Sequence, residues 1–228
     1  MTVEEFSNEF DVLLNSYSSV GVYGEQSSKI NVNLDEYEKS VFLTLAQEEI
    51  VRGLYNGNLI GSSFEQTEES RRYLDSLVRT IKLEPFTDNT SSTLDNNSIL
   101  FKLPEDVLFI IYEQAKSLNK VIKVIPMRHD EWHKSKNNPF KMPNKDKIIR
   151  LNRGEDVVEL IAQYPQITEY LIRYISKPSP IILIDLPDDL SINGEINIAE
   201  CKLDNALHKL IIERAVQLAY RRFPQASK

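Results

Sequence analysis

The segment MRHDEWHKSKNNPFKMP, residues 127–143, holds the side chains best suited to chemistry. His129 and His133 stand four residues apart, with Asp130, Glu131 and the only tryptophan, Trp132, between them. On a helix this spacing puts two imidazoles on one face, which is how zinc hydrolases grip their metal. Such a site also needs a third ligand, and a glutamate directly after the first histidine to serve as general base. Asp130 follows His129 instead, and Pro126 and Pro139 leave room for only a short helix. The remaining donors, Cys201 and His208, lie far along the chain without paired spacing. A metal-dependent hydrolase centred on His129 and His133 is therefore the alternative, and no metal is expected. The bland reading is a capped surface turn, with Trp132 as an apolar lid whose indole N–H finds a partner at the rim.

Other chemistries fare no better. Cys201 and His208 are seven residues apart, so on one helix they would be separated by a rise of about 10 Å, too far for a nucleophilic dyad. The seven glycines are scattered, and GLYNGNLIG follows a predicted helix where a phosphate loop would precede one. DLPDDL lacks the spaced oxygen ligands of a calcium loop. No catalytic residue and no cofactor are expected, and the chain reads as a protein that is not an enzyme.

Charge is more telling. The net charge is −7, but residues 1–103 hold 8 basic and 17 acidic side chains, a balance of −9. Residues 120–153 hold ten Lys and Arg against three Asp and Glu, a balance of +7. Such a run is either a solvated loop or a surface that docks on acidic protein or phosphates. A monomeric binding module using basic residues 120–153 is a second alternative, although an acidic chain would repel a nucleic acid.

The elements around these segments divide by pattern. Thr2 and Glu5 form a capping-box pattern ahead of Val3, Phe6, Phe10, Leu13, Leu14 and Tyr17, which recur at helical steps. A Ser/Gly-rich connector, residues 18–29, leads to a second helix with cap residues Asn33 and Glu36, a face of Tyr37, Val41, Leu45 and Leu54, and a stop at Asn56-Gly57. A third helix is expected over residues 64–79. TIKLEPF then reads as a strand, residues 87–98 as a polar loop, and residues 99–103, 107–115, 121–125, 148–151, 157–164, 170–175 and 181–185 as further strands. A long helix capped by Asp204 or Asn205 closes the chain. The predicted fold is α+β: N-terminal helices and a long C-terminal helix packed together, with a mostly antiparallel β domain inserted between them. The corresponding divisions are residues 1–86, 99–190 and 195–228.

Composition agrees with a globular protein, at 41% hydrophobic and 27% charged residues. One cysteine excludes an internal disulfide. No apolar run reaches the roughly 18 residues of a membrane helix, and the acidic opening MTVEEFSNEF gives no expectation of a secretion signal.

The series LPEDVLFIIYEQA, VIPMRHDEWHKSKNNPFKMP, IIRL, YLIRYISKPSPIIL and CKLDNALHKLIIERAVQLA, running from Leu103 onward, resembles virion proteins of tailed bacteriophages, especially the crAss-like phages. The middle piece looks like that family's strand, acidic and aromatic turn, and Asn-Pro-Phe anchor. The resemblance implies a head–tail connector, a ring or adaptor subunit next to the portal. It would sit in the virion neck, assembled in the host bacterial cytoplasm. Its implied partners are copies of itself, twelve to a ring, the portal protein and another tail or ring protein. DNA would pass through the channel without sequence-specific binding, and no membrane would be involved. The interface residues expected on this reading are Trp132, Lys134, Lys136, Asn138, Phe140, Lys141, Lys145, Arg221 and Arg222. RRFPQASK is the candidate portal-docking tail.

Overall fold

Two pieces of the chain that are distant in sequence form one unit, Met1–Leu77 with Pro178–Lys228, and the stretch between them, Val78–Lys177, forms a second. The computed structural model describes residues 1–20, 34–59, 61, 63–86, 97–117, 120–135, 138–154, 156–164, 166–187 and 189–222. Among them are five α-helices and a curled seven-stranded sheet, a mixed α+β fold. The polar loop expected before Ser98 and the tail RRFPQASK lie outside the described residues, apart from the ends that the helix and strands claim.

In the first unit, helix α1 (Val3–Val20) starts with the expected capping box. Thr2 N donates to Glu5 Oε2 at 2.8 Å and Glu5 N to Thr2 Oγ1 at 3.3 Å. Phe6, Phe10 and Leu14 are buried, while the side chain of Tyr17 lies outside the described residues. Helix α2 (Glu36–Asn56) is capped two residues later than expected, by Asp35 with Glu38 instead of Asn33 with Glu36. Gly57 ends it in the left-handed region, φ 79°, where its N–H reaches Gly53 O and no side chain is strained. The single apolar face expected for α2 is also revised. Phe42, Leu43, Ala46, Ile50, Val51 and Leu54 are buried, and Leu45 is exposed.

Helix α2 is covered on two sides. Helix α5 (Asn205–Arg222), whose first turn is capped by Asp204 accepting from Ala206 N at 2.9 Å, packs on α1 and α2. The second cover is an arm, residues 178–200. The expected strand at 181–185 is not one: beyond a lone bridge from Ile182 to Ala199, this run lies along α2. Helix hydroxyls satisfy its backbone, as Ile181 N donates to Thr44 Oγ1 at 3.1 Å and Leu183 N to Ser40 Oγ at 2.9 Å. Ile182, Leu186 and Ile192 are buried against Tyr37 and Val41. The third helix is shorter than expected. Helix α3 (Glu68–Leu74), capped by Thr67, ends in a 3-10 turn, Asp75–Leu77, and the chain becomes a strand at Val78.

Lys39 is the polar tie of this unit. Its side chain is 4% exposed, and its Nζ donates to Ser7 Oγ at 3.1 Å, Asp11 Oδ2 at 2.8 Å and Glu36 Oε1 at 3.0 Å. Burial disfavours its charge, but the bonds and fields of Asp11 and Glu36 outweigh that and hold the ammonium above its usual pKa. A raised pKa means the contribution is complete below about pH 10.4, the unfolded value, and is lost as pH rises through the folded one. We expect Lys39→Met to lower stability by about 2 kcal/mol at neutral pH, with a smaller difference from the parent at strongly alkaline pH. Denaturant midpoints at pH 7 and at alkaline pH check this, and equal penalties at both would refute it.

In the second unit the strands are β1 (Val78–Leu83), β2 (Ser98–Lys102), β3 (Val107–Ser117), β4 (Lys120–Pro126), β5 (Lys147–Gly154), β6 (Val157–Ile161) and β7 (Ile167–Ser176). Their order is β1-β7-β3-β4-β5-β6-β2. Five of the ladders are antiparallel, and β4 with β5 is parallel. A bridge from Phe86 to Leu100, with Phe86 N donating to Leu100 O at 2.7 Å, brings the chain after β1 onto β2. One face of the sheet buries Phe101, Val124, Ile148, Leu160, Tyr170 and Ile172 together.

Candidate functional site

Parallel neighbours cannot be joined by a tight turn, so the chain between β4 and β5 must make a crossover. That crossover is the histidine segment. Helix α4 (His129–Ser135) is amphipathic at its simplest: Trp132 points in and its flanks point out. Trp132 is 2% exposed and packs with Ile149, Leu151 and Ile161, flanked by Met127. Its expected place at a wet rim is thus corrected. The indole N–H has no hydrogen-bond partner among the described residues. Trp132 acts as the peg that fixes α4 on the β5–β6 face, and its side chain is not part of the surface.

The two histidines stay on the surface of the crossover. The His129 ring nitrogen Nε2 is bonded to Asn152 O on β5, and both imidazoles are exposed. Among the described residues no group of three or more His, Cys, Asp or Glu side chains converges as ligands. His208 is buried on α5, with Nε2 3.1 Å from Leu203 O and Nδ1 3.3 Å from the Met1 amino group. Burial holds its imidazole below the usual pKa and pushes the Cys201 thiol above it. Neither is poised as a base or a nucleophile.

After α4 the chain forms a second, stiffer feature. Asn138 Oδ1 accepts from Phe140 N at 3.0 Å, and Asn138 O accepts from Lys141 N at 3.0 Å and Met142 N at 3.1 Å. Lys147 Nζ then donates to Phe140 O at 3.1 Å and Lys141 O at 2.9 Å, closing the turn from the β5 side. At the tip of this clamped turn the Phe140 side chain is 90% exposed. A phenyl ring fixed in water at that exposure forgoes most of the burial its apolar area could gain.

The basic residues around the turn fall into two groups. Lys147 clamps the turn and Lys120 pairs with Asp146, so both are occupied locally. Lys141 reaches Glu131 at only 3.8 Å, and Lys134 and Lys145 are exposed, with the Lys145 charge acting on Asp146. Lys136 lies outside the described residues. Arg221 and Arg222 end α5 in the other unit; Arg222 sits over the Phe42 ring at 5.7 Å and Arg221 is exposed.

Two features went unanticipated. One is a buried ion pair in the strand unit: Arg150 Nε lies 2.9 Å from Glu113 Oε2, in charge contact without hydrogen-bond alignment. Tyr170 Oη donates to the same carboxylate at 2.6 Å. Glu113 alternates inward with Ala115 on β3, and that period-two slot was the available signal. The other is the outward side of the arm, where Ile184, Ile196 and Ile198 are exposed beside the buried Ile182 and Leu186. No helix among the described residues is long and apolar enough to cross a membrane.

Comparison with known proteins supplies the family. The family model for phage tail ring protein 3/4 matches residues 1–227, so the likeness includes the helical N-terminal part as well as the segments after Leu103. "Ring protein 3" of Bacteroides phage crAss001 is 46% identical over 230 residues, covering 96% of this chain and 95% of that protein. "Ring protein 4/5" of the same phage is 36% identical over 231 residues, covering 96% of this chain and 92% of that protein. These relatives are structural ring proteins and not enzymes. From its first helix to its last, this chain belongs to the phage tail ring protein 3/4 family.

Proposed function

We propose that the chain is a ring subunit of the virion neck, joining the portal vertex to the tail around the DNA channel. The observation that carries this reading is the match to a tail ring protein family along nearly the whole chain. Copies of the chain, twelve to a ring, meet through unlike surfaces and close by rotation. The portal protein and another tail or ring protein lie against its two ends. Charge supports the reading: −9 over residues 1–103 and +7 over residues 120–153 give one subunit segments of opposite sign, which favours attraction between neighbouring copies. An acidic lining repels the phosphate backbone, so DNA slides through without sequence-specific binding. The residues that do the joining include Lys134, Asn138, Phe140, Lys141 and Lys145 of the strand unit, and separately Arg221 at the end of α5. Assembly takes place in the cytoplasm of the host bacterium, before the neck is sealed.

The test is reconstitution of the full chain with its portal protein. Electron microscopy and mass measurement are expected to show closed rings on the portal. Reversing Lys134, Lys141 and Lys145 to glutamate is expected to reduce ring occupancy at least tenfold without altering the fold, since all three are exposed. A chain that stays monomeric beside portal and neighbouring ring proteins would sink the proposal.

A further inference from the structure

We infer that neighbouring copies are joined by the Phe140 turn of one seating on the outward face of the arm, residues 178–200, of the next. This deepens the ring reading and rests on it. The arm is two-sided. Its inner side buries Ile182, Leu186 and Ile192, while Ile184 and Ile198 on the other side are 49% and 51% exposed, with Ile196 beside them. Asp185 fixes that side by accepting from Ile198 N at 2.8 Å, and Leu186 N donates to Ile196 O at 2.8 Å. The arm's inner side is held by α2 hydroxyls, so its outer side is offered on a rigid support.

Charge names the occupant. Residues 178–200 contain Asp185, Asp188, Asp189, Glu195 and Glu200 and no Lys or Arg, a balance of −5. Phe140 is the most exposed large apolar side chain of the described residues, and Lys134, Lys141 and Lys145 surround it in sequence within the +7 segment. A phenyl anchor within a basic segment fits an isoleucine patch within an acidic one, and both belong to the same chain. The contact is therefore heterologous, the kind that closes into a ring. The clamp on the turn from Asn138 and Lys147 means that little freedom is lost on docking. Apolar area at the centre gives the affinity, and the surrounding charges set register and approach.

The test uses the full chain, with and without portal protein. Phe140→Cys and Ile198→Cys are made separately and together in a Cys201→Ser background, and oxidised. The double variant is expected to give a covalent ladder, and a mixture of the two single variants to give only one-to-one dimers. Phe140→Asp, at a side chain 90% exposed to water, is expected to weaken self-association at least tenfold by sedimentation. If the parent chain forms rings but Phe140→Asp does so equally and no ladder appears, the inference falls while the ring reading stands. In that case the turn serves an unlike neck protein. If the parent chain forms no ring even on the portal, both fall.

Discussion

Arg150→Met is expected to lower the unfolding free energy by about 3–5 kcal/mol, because it removes the cation paired with a carboxylate held in the apolar interior of the strand unit. Glu113 and Arg150 side chains are 7% and 10% exposed, so neither can turn to water. Burial already holds the Glu113 carboxyl above its usual pKa, with Arg150 and Tyr170 acting in the opposite sense. A raised carboxyl pKa makes this group's contribution complete below about pH 4.3, its unfolded value. The contribution is lost as pH rises through the folded value. Arg150→Met therefore hurts most at neutral and alkaline pH, and least in acid, where Glu113 is protonated in both parent and variant. Adding Glu113→Leu removes the orphaned charge and is expected to recover most of the loss, short of the bond Tyr170 then lacks. Equilibrium unfolding followed by Trp132 fluorescence measures all three. A loss below about 1 kcal/mol for the single variant at pH 7 would show that the pair is better hydrated than its geometry implies.

Trp132→Ala is the second large effect, again about 3–5 kcal/mol, since the indole fills the space between α4 and the face of Ile149, Leu151 and Ile161. The indole N–H has no partner among the described residues, so Trp132→Phe removes no bond and is expected to lose only about 1 kcal/mol. The contrast separates packing from hydrogen bonding. Hydrogen exchange should also speed up in residues 129–150 of the alanine variant, because the peg anchors the chain that leads to the Phe140 turn. Unchanged exchange there would mean that the Asn138 and Lys147 clamp holds the turn unaided.

Much of this was legible in the residues. The Thr2–Glu5 cap, the stop at Gly57, the Asp204 cap and most strands are written locally, in hydrogen-bonding side chains and in period-two runs. What was illegible depends on partners distant in sequence. The run at 181–185 has the composition of a strand, yet its donors go to Ser40 and Thr44, about 140 residues earlier, and no pattern within the run announces that. By spacing Tyr37 and Val41 share one face with Leu45, whereas the arm takes the first two and leaves Leu45 exposed. The site divided in the same way. The basic run and Asn138-Pro139-Phe140 were visible, but the 90% exposure of Phe140 and the burial of Trp132 follow from where β5 lies beneath the crossover.

That crossover carries a consequence for timing. The anchor ring at residue 140 lies on the link between two strands that run side by side in the same direction, so that link is pinned at both ends only once Lys123 to Pro126 have paired with Lys147 to Arg150. A nascent or half-folded copy has no fixed key to present. On the proposed contact, admission to the growing circle is thereby reserved for subunits whose crossover has folded.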